Sequence, residues 1–215
     1  MCAAGRAVAA PERASLSDLP RPTTARGEAT RQRILDAAET EFGENGFART
    51  SIASIVNRAG VAQGTFYLYF PSKDDVLREL VRDMGRRLRR ALSAATRGLT
   101  HRVEVEKAGL EAFIRFALEH QNLYRVVMES QFVDESIYRE YYQTLADAYA
   151  ERLAAAQERG EIRRSDAEAQ AWALMGVAHF LGLRYAIWEH SPPPPAVLAS
   201  THELLFAGLA PEGAR

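Results

Sequence analysis

The chain has 215 residues, 47% of them hydrophobic, and its formal net charge is −1. That content supports a sizeable core in one large or two small domains, while a near-zero charge sum is silent on partners, because nucleic-acid binding depends on where charge lies. A lone cysteine, Cys2, rules out an internal disulfide or a thiolate metal cluster; with no apolar run of about 18 residues to span a bilayer, the expectation is a soluble, cytoplasmic protein with no membrane partner.

Residues 1–25 mix Ala, Pro, Arg and Ser without a period and are predicted to form a flexible arm. It is either an inert tail or a basic arm whose Arg21 and Arg26, with Arg31 beyond it, enter an adjacent minor groove. Apolar residues then recur at three- and four-residue steps (Ile34, Leu35, Ala38, Phe42), which predicts a helix over 29–44 closed by Gly46. Thr50 and Ser51 offer an N-cap for "IASIVNRAG", which Gly60 stops, and a further short helix is predicted over 62–70. Two short helices across a tight glycine turn read as a helix-turn-helix. Pro71 ends the third helix and Ser72 caps a fourth, whose first turn carries Asp74 and Asp75. Long helices follow over 72–97, 104–118, 121–131, 134–159, 166–189 and 196–209, broken most clearly at Gly160 and at the proline run before Ala196. The fold class is therefore all-α with about nine helices: an arm (1–25), a three-helix head (26–73) and a larger helical domain (74–215).

Two features single out the head. Between Glu44 and Asp74 there is no carboxylate, while Arg49, Arg58 and Lys73 lie in that window, so the segment can approach phosphates without repulsion. Within it, "TFYLYF" sets Phe66, Tyr67, Tyr69 and Phe70 in five positions, more rings than one buried helical stripe accommodates.

Residues 30–77, "TRQRILDAAETEFGENGFARTSIASIVNRAGVAQGTFYLYFPSKDDVL", resemble the DNA-binding domain of the TetR (tetracycline repressor) family of bacterial transcription regulators. The resemblance implies that the third helix lies in the major groove. Gln63 and Thr65 would then meet base edges, glutamine being able to pair bidentately with adenine. Gly64 would let the backbone come close, and Tyr67 and Tyr69 match positions whose side chains reach DNA. Phe66 and Phe70 should turn inward against Ile34, Phe42, Ile52 and Ile55. Thr50 and Ser51, at the start of the second helix, are expected to hold a phosphate, to cap the helix, or both. Lys73, one of only two lysines in the chain, stands where the family places a phosphate contact.

In the larger domain the fourth helix carries Arg78, Arg82, Arg86, Arg87, Arg89 and Arg90. They read either as a solvated face paired with neighbouring acids or as guanidinium forks for an anionic effector. The eighth helix is apolar on two sides, with Trp172, Met175, His179 and Leu183 on one and Leu174, Val177, Leu181 and Trp188 on the other. With a stripe of Val197, Leu198, Thr201, Leu204, Leu205 and Gly208 on the ninth, it predicts a homodimer through the last two helices. Expected lining for a largely apolar effector pocket is Met84, Leu88, Phe113, Phe116, Tyr124, Met128, Phe132, Tyr138, Tyr142, Trp172, His179 and Tyr185, with His179 either a ligand contact or a satisfied core histidine. The resemblance thus implies a repressor that binds a palindromic operator and is released by its effector through a shift of the fourth helix. A ligand-independent regulator is the alternative. A small helical enzyme is the distant one, since no catalytic residues, metal site or cofactor motif can be picked out.

Overall fold

Polar caps set the helix limits. A computed structural model describes residue 22 and residues 24–209. Arg21 and Cys2, singled out from the sequence, lie outside that range. Thr24 accepts the Gly27 N–H at 3.1 Å and starts α1 (Ala25–Asn45) four residues ahead of the predicted start. Ser51 and Ser54 cap one another reciprocally at α2 (Ile52–Ala59), and Gly60 ends it in the left-handed conformation. After α3 (Gln63–Tyr67) come α4 (Lys73–Ala95), α5 (Arg102–Glu119), α6 (Gln121–Val133), α7 (Glu135–Glu158), α8 (Ala167–Gly182) and α9 (Pro195–Leu209). All nine are α-helices, and among the described residues there is no strand. None is long and apolar enough to cross a membrane.

Two further elements differ from expectation. The third helix is five residues long, because beyond Tyr67 the amides of Leu68 and Tyr69 bond three residues back, in tight turns that lead into Pro71. The predicted eighth helix divides at Gly182: residues Leu183–Trp188 form a π-helical extension in which Glu189 N–H reaches Arg184 O. A Cβ at Gly182 would lie 2.8 Å from the Phe113 ring, so only glycine lets α8 approach α5 this closely. A period of 3.6 residues cannot anticipate a wider turn.

One core runs through both halves. Ile34, Phe42, Ile55, Phe66 and Phe70 of the head join Leu77, Leu80, Met84 and Leu88 of α4, Leu123 and Val126 of α6 and Ile137 of α7 in a single cluster. A smaller cluster holds Leu153, Ala156, Ile162, Ala171 and Leu174 between α7 and α8. The head therefore does not ride on a loose linker: α4 is shared, and α6 packs directly on α1.

Candidate functional site

The α2–α3 surface is built by turning the ring-rich segment half inward. Phe66 and Phe70 are fully buried in the core, whereas Tyr67 is 51% and Leu68 69% exposed. Tyr69 is half-buried, with its ring on the core and its hydroxyl close to Gly27, so it seats the α3 turn against the start of α1. Gln63 and Gly64 are exposed at the first turn of α3 and Thr65 is half-buried behind them. A Cβ on Gly64 would meet nothing within 4 Å, so the backbone there faces open space. Ser51 is exposed, its hydroxyl oxygen accepting Ser54 N–H at 3.0 Å.

Three expectations for this surface require correction. Thr50 is buried at 4% exposure, and its hydroxyl lies 2.8 Å from the Gly46 carbonyl and 3.0 Å from that of Glu41. It latches the α1–α2 turn and is not free to hold a phosphate. Arg31 stacks on the Phe70 ring at 5.2 Å and pairs with Glu79 at 3.4 Å, which keeps it out of any groove. Arg58 is taken up by two acids of α1, Glu41 at 2.6 Å and Glu44 at 3.1 Å. Its hydrogen bond holds the Glu41 carboxyl below the ordinary carboxylate range. Stretches far apart in sequence thus cancel part of the charge that the carboxylate-free window had set apart.

Lys73 has a second occupation. Its Nζ donates to the Phe47 and Thr50 carbonyls at 2.6 and 2.7 Å and sits 4.1 Å from the centre of the Phe47 ring. From the other side, both oxygens of Glu129, on α6, accept the Phe47 N–H at 2.9 and 2.8 Å. Phe47 is thereby clamped at its amide and its carbonyl. Gly46, at φ +81°, makes the clamp possible: a Cβ there would sit 3.3 Å from Glu129 Oε1 in a backbone conformation side chains avoid.

The larger half encloses a cavity of about 170 Å³ between α4, α5, α6, α7 and α8. Of the predicted lining, Met84, Leu88, Phe113, Tyr124, Met128, Tyr142 and His179 do face it. The Tyr124 hydroxyl lies 2.9 Å from the His179 carbonyl and 3.0 Å from His179 Nδ1, within hydrogen-bond reach of both. Tyr142 Oη stands 3.4 Å from the same nitrogen. Burial lowers the pKa of His179 and keeps the ring neutral, and burial likewise raises the phenol of Tyr124.

Residues 34–80 match the family profile described as "Bacterial regulatory proteins, tetR family". A Bacillus subtilis (strain 168) HTH-type transcriptional regulator, YdgC, is 28% identical over 196 residues, covering 87% of this chain and 96% of its own. Two solved structures share the fold: Salmonella enterica GusR, with a TM-score of 0.72 at 23% identity over 86% of this chain and 97% of that one, and the fatty acid degradation regulator FadR from Bacillus halodurans, with 0.73 at 21% over 86% and 96%. Residues 34–80 are thus a tetR-family DNA-binding segment, in a chain similar to an HTH-type transcriptional regulator over most of its length.

The remaining pocket expectations are corrected by tertiary packing. Phe116 is sealed in the core against His120, with ring centroids 4.3 Å apart. Phe132 is 83% exposed and joins Tyr138 and Trp172 in an outer hollow, with Tyr142, Met175 and His179 as the wall shared with the cavity. Tyr185 is buried away from the cavity beneath Arg184. Sequence reasoning missed Arg102, Glu106, Tyr149 and Arg152 at the far end of the cavity. The spacing of Arg102 and Glu106, one turn apart on a helix, was the available signal. Four of the α4 arginines meet acids: Arg78 with Asp75 and Asp134, Arg82 with Glu140, Arg86 with Glu79 and Asp83, and Arg87 with Asp83.

Proposed function

We propose that this regulator is a homodimeric repressor that leaves a palindromic operator when a largely apolar effector fills the cavity. The observation that carries the reading is the path along α6. Tyr124, Val127 and Met128 line the cavity, and the next residue, Glu129, holds the Phe47 amide in the turn between α1 and α2. An effector that displaces α6 therefore pulls on the head within one helical turn. α4 provides the second route, since Met84 and Leu88 touch the cavity while Lys73, at its first residue, grips the same turn. Coupling between two such sites is typically about 1–3 kcal/mol and reciprocal.

The outer face of α8 and α9 supports the dimer. Phe180 and Trp188 are each 67% exposed, Leu204 is 71% exposed, and Trp172 is partly exposed beside them, a density of large apolar side chains that favours a covered interface. Two heads related by a two-fold axis require half-sites about 34 Å apart or a multiple of that. On DNA, Gln63, Gly64 and Thr65 face base edges, Tyr67 and Leu68 offer apolar contact, Tyr69 contributes its hydroxyl edge, and Ser51 with the start of α2 faces a phosphate. The fatty acid regulator among the similar structures bears on fold alone at 21% identity, so no effector is taken from it.

Selection of bound sequences from random duplex DNA tests this reading. The expected product is a palindrome bound by two chains, with Tyr67→Ala losing at least about tenfold in affinity while its melting temperature is kept, because the ring touches the core only edge-on at Phe66. An enriched site without two-fold symmetry, or full affinity in Tyr67→Ala, would refute it.

A further inference from the structure

The cavity wall is electrically unbalanced. Three arginines line it, Arg89 from α4, Arg102 from α5 and Arg152 from α7, against one carboxylate, Glu106. Glu106 is committed to Arg102 and to the Tyr149 hydroxyl. Among the described residues neither Arg89 nor Arg152 has an ion pair, so two positive charges stand in excess beside an otherwise mainly aliphatic and aromatic lining. Arg89 is half-buried and Arg152 is exposed at the rim, so water can still reach these charges, and an anionic group entering the cavity would find them without a competing carboxylate.

The donors are concentrated at one end. Arg102 is 7% exposed, lies over the Tyr149 ring with 5.5 Å from guanidinium carbon to ring centre, and bonds only to Glu106. Its Nε–H is buried and has no partner. A guanidinium offers five N–H donors, so most of this fork is unused. Arg152, one helical turn beyond Tyr149 on α7, also lines the cavity and is exposed, which puts its guanidinium at the solvent-facing rim. From there the lining runs back along α4 from Thr96 to Met84, about 18 Å at the helical rise, through Leu92, Leu88, Leu110, Leu145 and Met128. The opposite end closes on the neutral Tyr124–His179 pair.

We propose that the cavity binds an anion-headed amphiphile, with an unbranched apolar chain lying along α4 and a carboxylate or phosphate head between Arg102 and Arg152. The assignment rests on the cavity being the effector site, and it adds the chemical class of the effector and the end at which its charge sits. Forked, charge-assisted hydrogen bonds suit either head.

Isothermal titration of the full-length protein with decanoate, decyl phosphate, decanol and decyltrimethylammonium tests it. At least one anion should bind about tenfold or more tightly than decanol, with the cation weakest, and the better anion identifies the head. In Arg152→Gln that preference over decanol should collapse. Arg152 has no acid to strand, so its loss does not threaten folding as that of Arg102 would. Equal binding of decanol and both anions, binding of none of the four, or loss of the preference in Arg89→Gln while Arg152→Gln keeps it, overturns the proposal. DNA binding by the ligand-free protein, measured separately on the selected operator, tells whether the regulatory reading stands when this one falls.

Discussion

Glu129→Ala is the sharpest probe of how the two halves are joined. The substitution removes a carboxylate whose two oxygens lie 2.9 and 2.8 Å from one half-buried backbone N–H, that of Phe47. A hydrogen bond to a charged group contributes about 1.5–3 kcal/mol, and the amide left behind has no other acceptor in the turn, so a loss of about 2 kcal/mol is expected. For a chain of this size that corresponds to a fall in melting temperature of about 4–8 °C. Glu129→Gln keeps the shape and one neutral acceptor and should lose about half as much. Thermal unfolding measures the first quantity. Amide exchange measures the cause: protection of the Phe47 N–H should drop in Glu129→Ala, while amides in the middle of α4 change little. An unchanged melting temperature together with an unchanged Phe47 amide would show that α6 does not hold the head, and the proposed route along α6 would fail with it.

Lys73→Met should lower stability by about 2 kcal/mol through loss of two carbonyl contacts and the contact with Phe47, and operator affinity should fall with it. A salt titration separates the causes: an unchanged slope means that the residue acts by holding the turn, whereas a slope reduced by about 0.9 means that it also meets a phosphate. Acid stability has a marker in Asp134. Although burial pushes this carboxyl upward, hydrogen bonds from Ser136 and Arg78 outweigh it and hold the pKa at about 2, against an ordinary value of 3.8. A depressed carboxyl stabilises fully above its unfolded value, and that contribution, about 1–2 kcal/mol, is lost as pH falls through the folded one. The stability gap between wild type and Asp134→Asn should therefore be constant above about pH 5 and shrink between pH 4 and 2; a gap that persists at pH 2 would refute the assignment.

Much of the head was legible because its signals are local. Caps at Ser51 and Ser72, glycines at 46 and 60 and the apolar period from Ile34 to Phe42 act within a few residues, and Phe66 and Phe70 could be told from Tyr67 because a single helical stripe has room for one set of rings. Thr50 and Lys73 were assigned to phosphates for an equally local reason, a hydroxyl and an ammonium at helix starts; packing removes Thr50 from that role and gives Lys73 a second one. What they bond to, the carbonyls of Glu41, Gly46 and Phe47, is brought to them only by the fold. Arg58 met the same fate, with its acids supplied by α1.

The cavity shows the limit most plainly. Periodicity identified apolar helices, and with them an all-α molecule with a helix-turn-helix, but an apolar side chain satisfies the same period whether it faces a core, a cavity or a partner. Phe116, Phe132 and Met128 are chemically alike, and one is sealed, one lies outside and one lines the cavity. Sequence by itself determined most of the helix limits, because caps and turns are energies of neighbours along the chain; the early start of α1, the short α3 and the π-helical break after Gly182 escaped it. Which arginine found an acid, and which carboxylate reached the Phe47 amide across 82 positions, was decided by how the helices pack, since ion pairs and hydrogen bonds depend on distances in space that no spacing along the chain encodes.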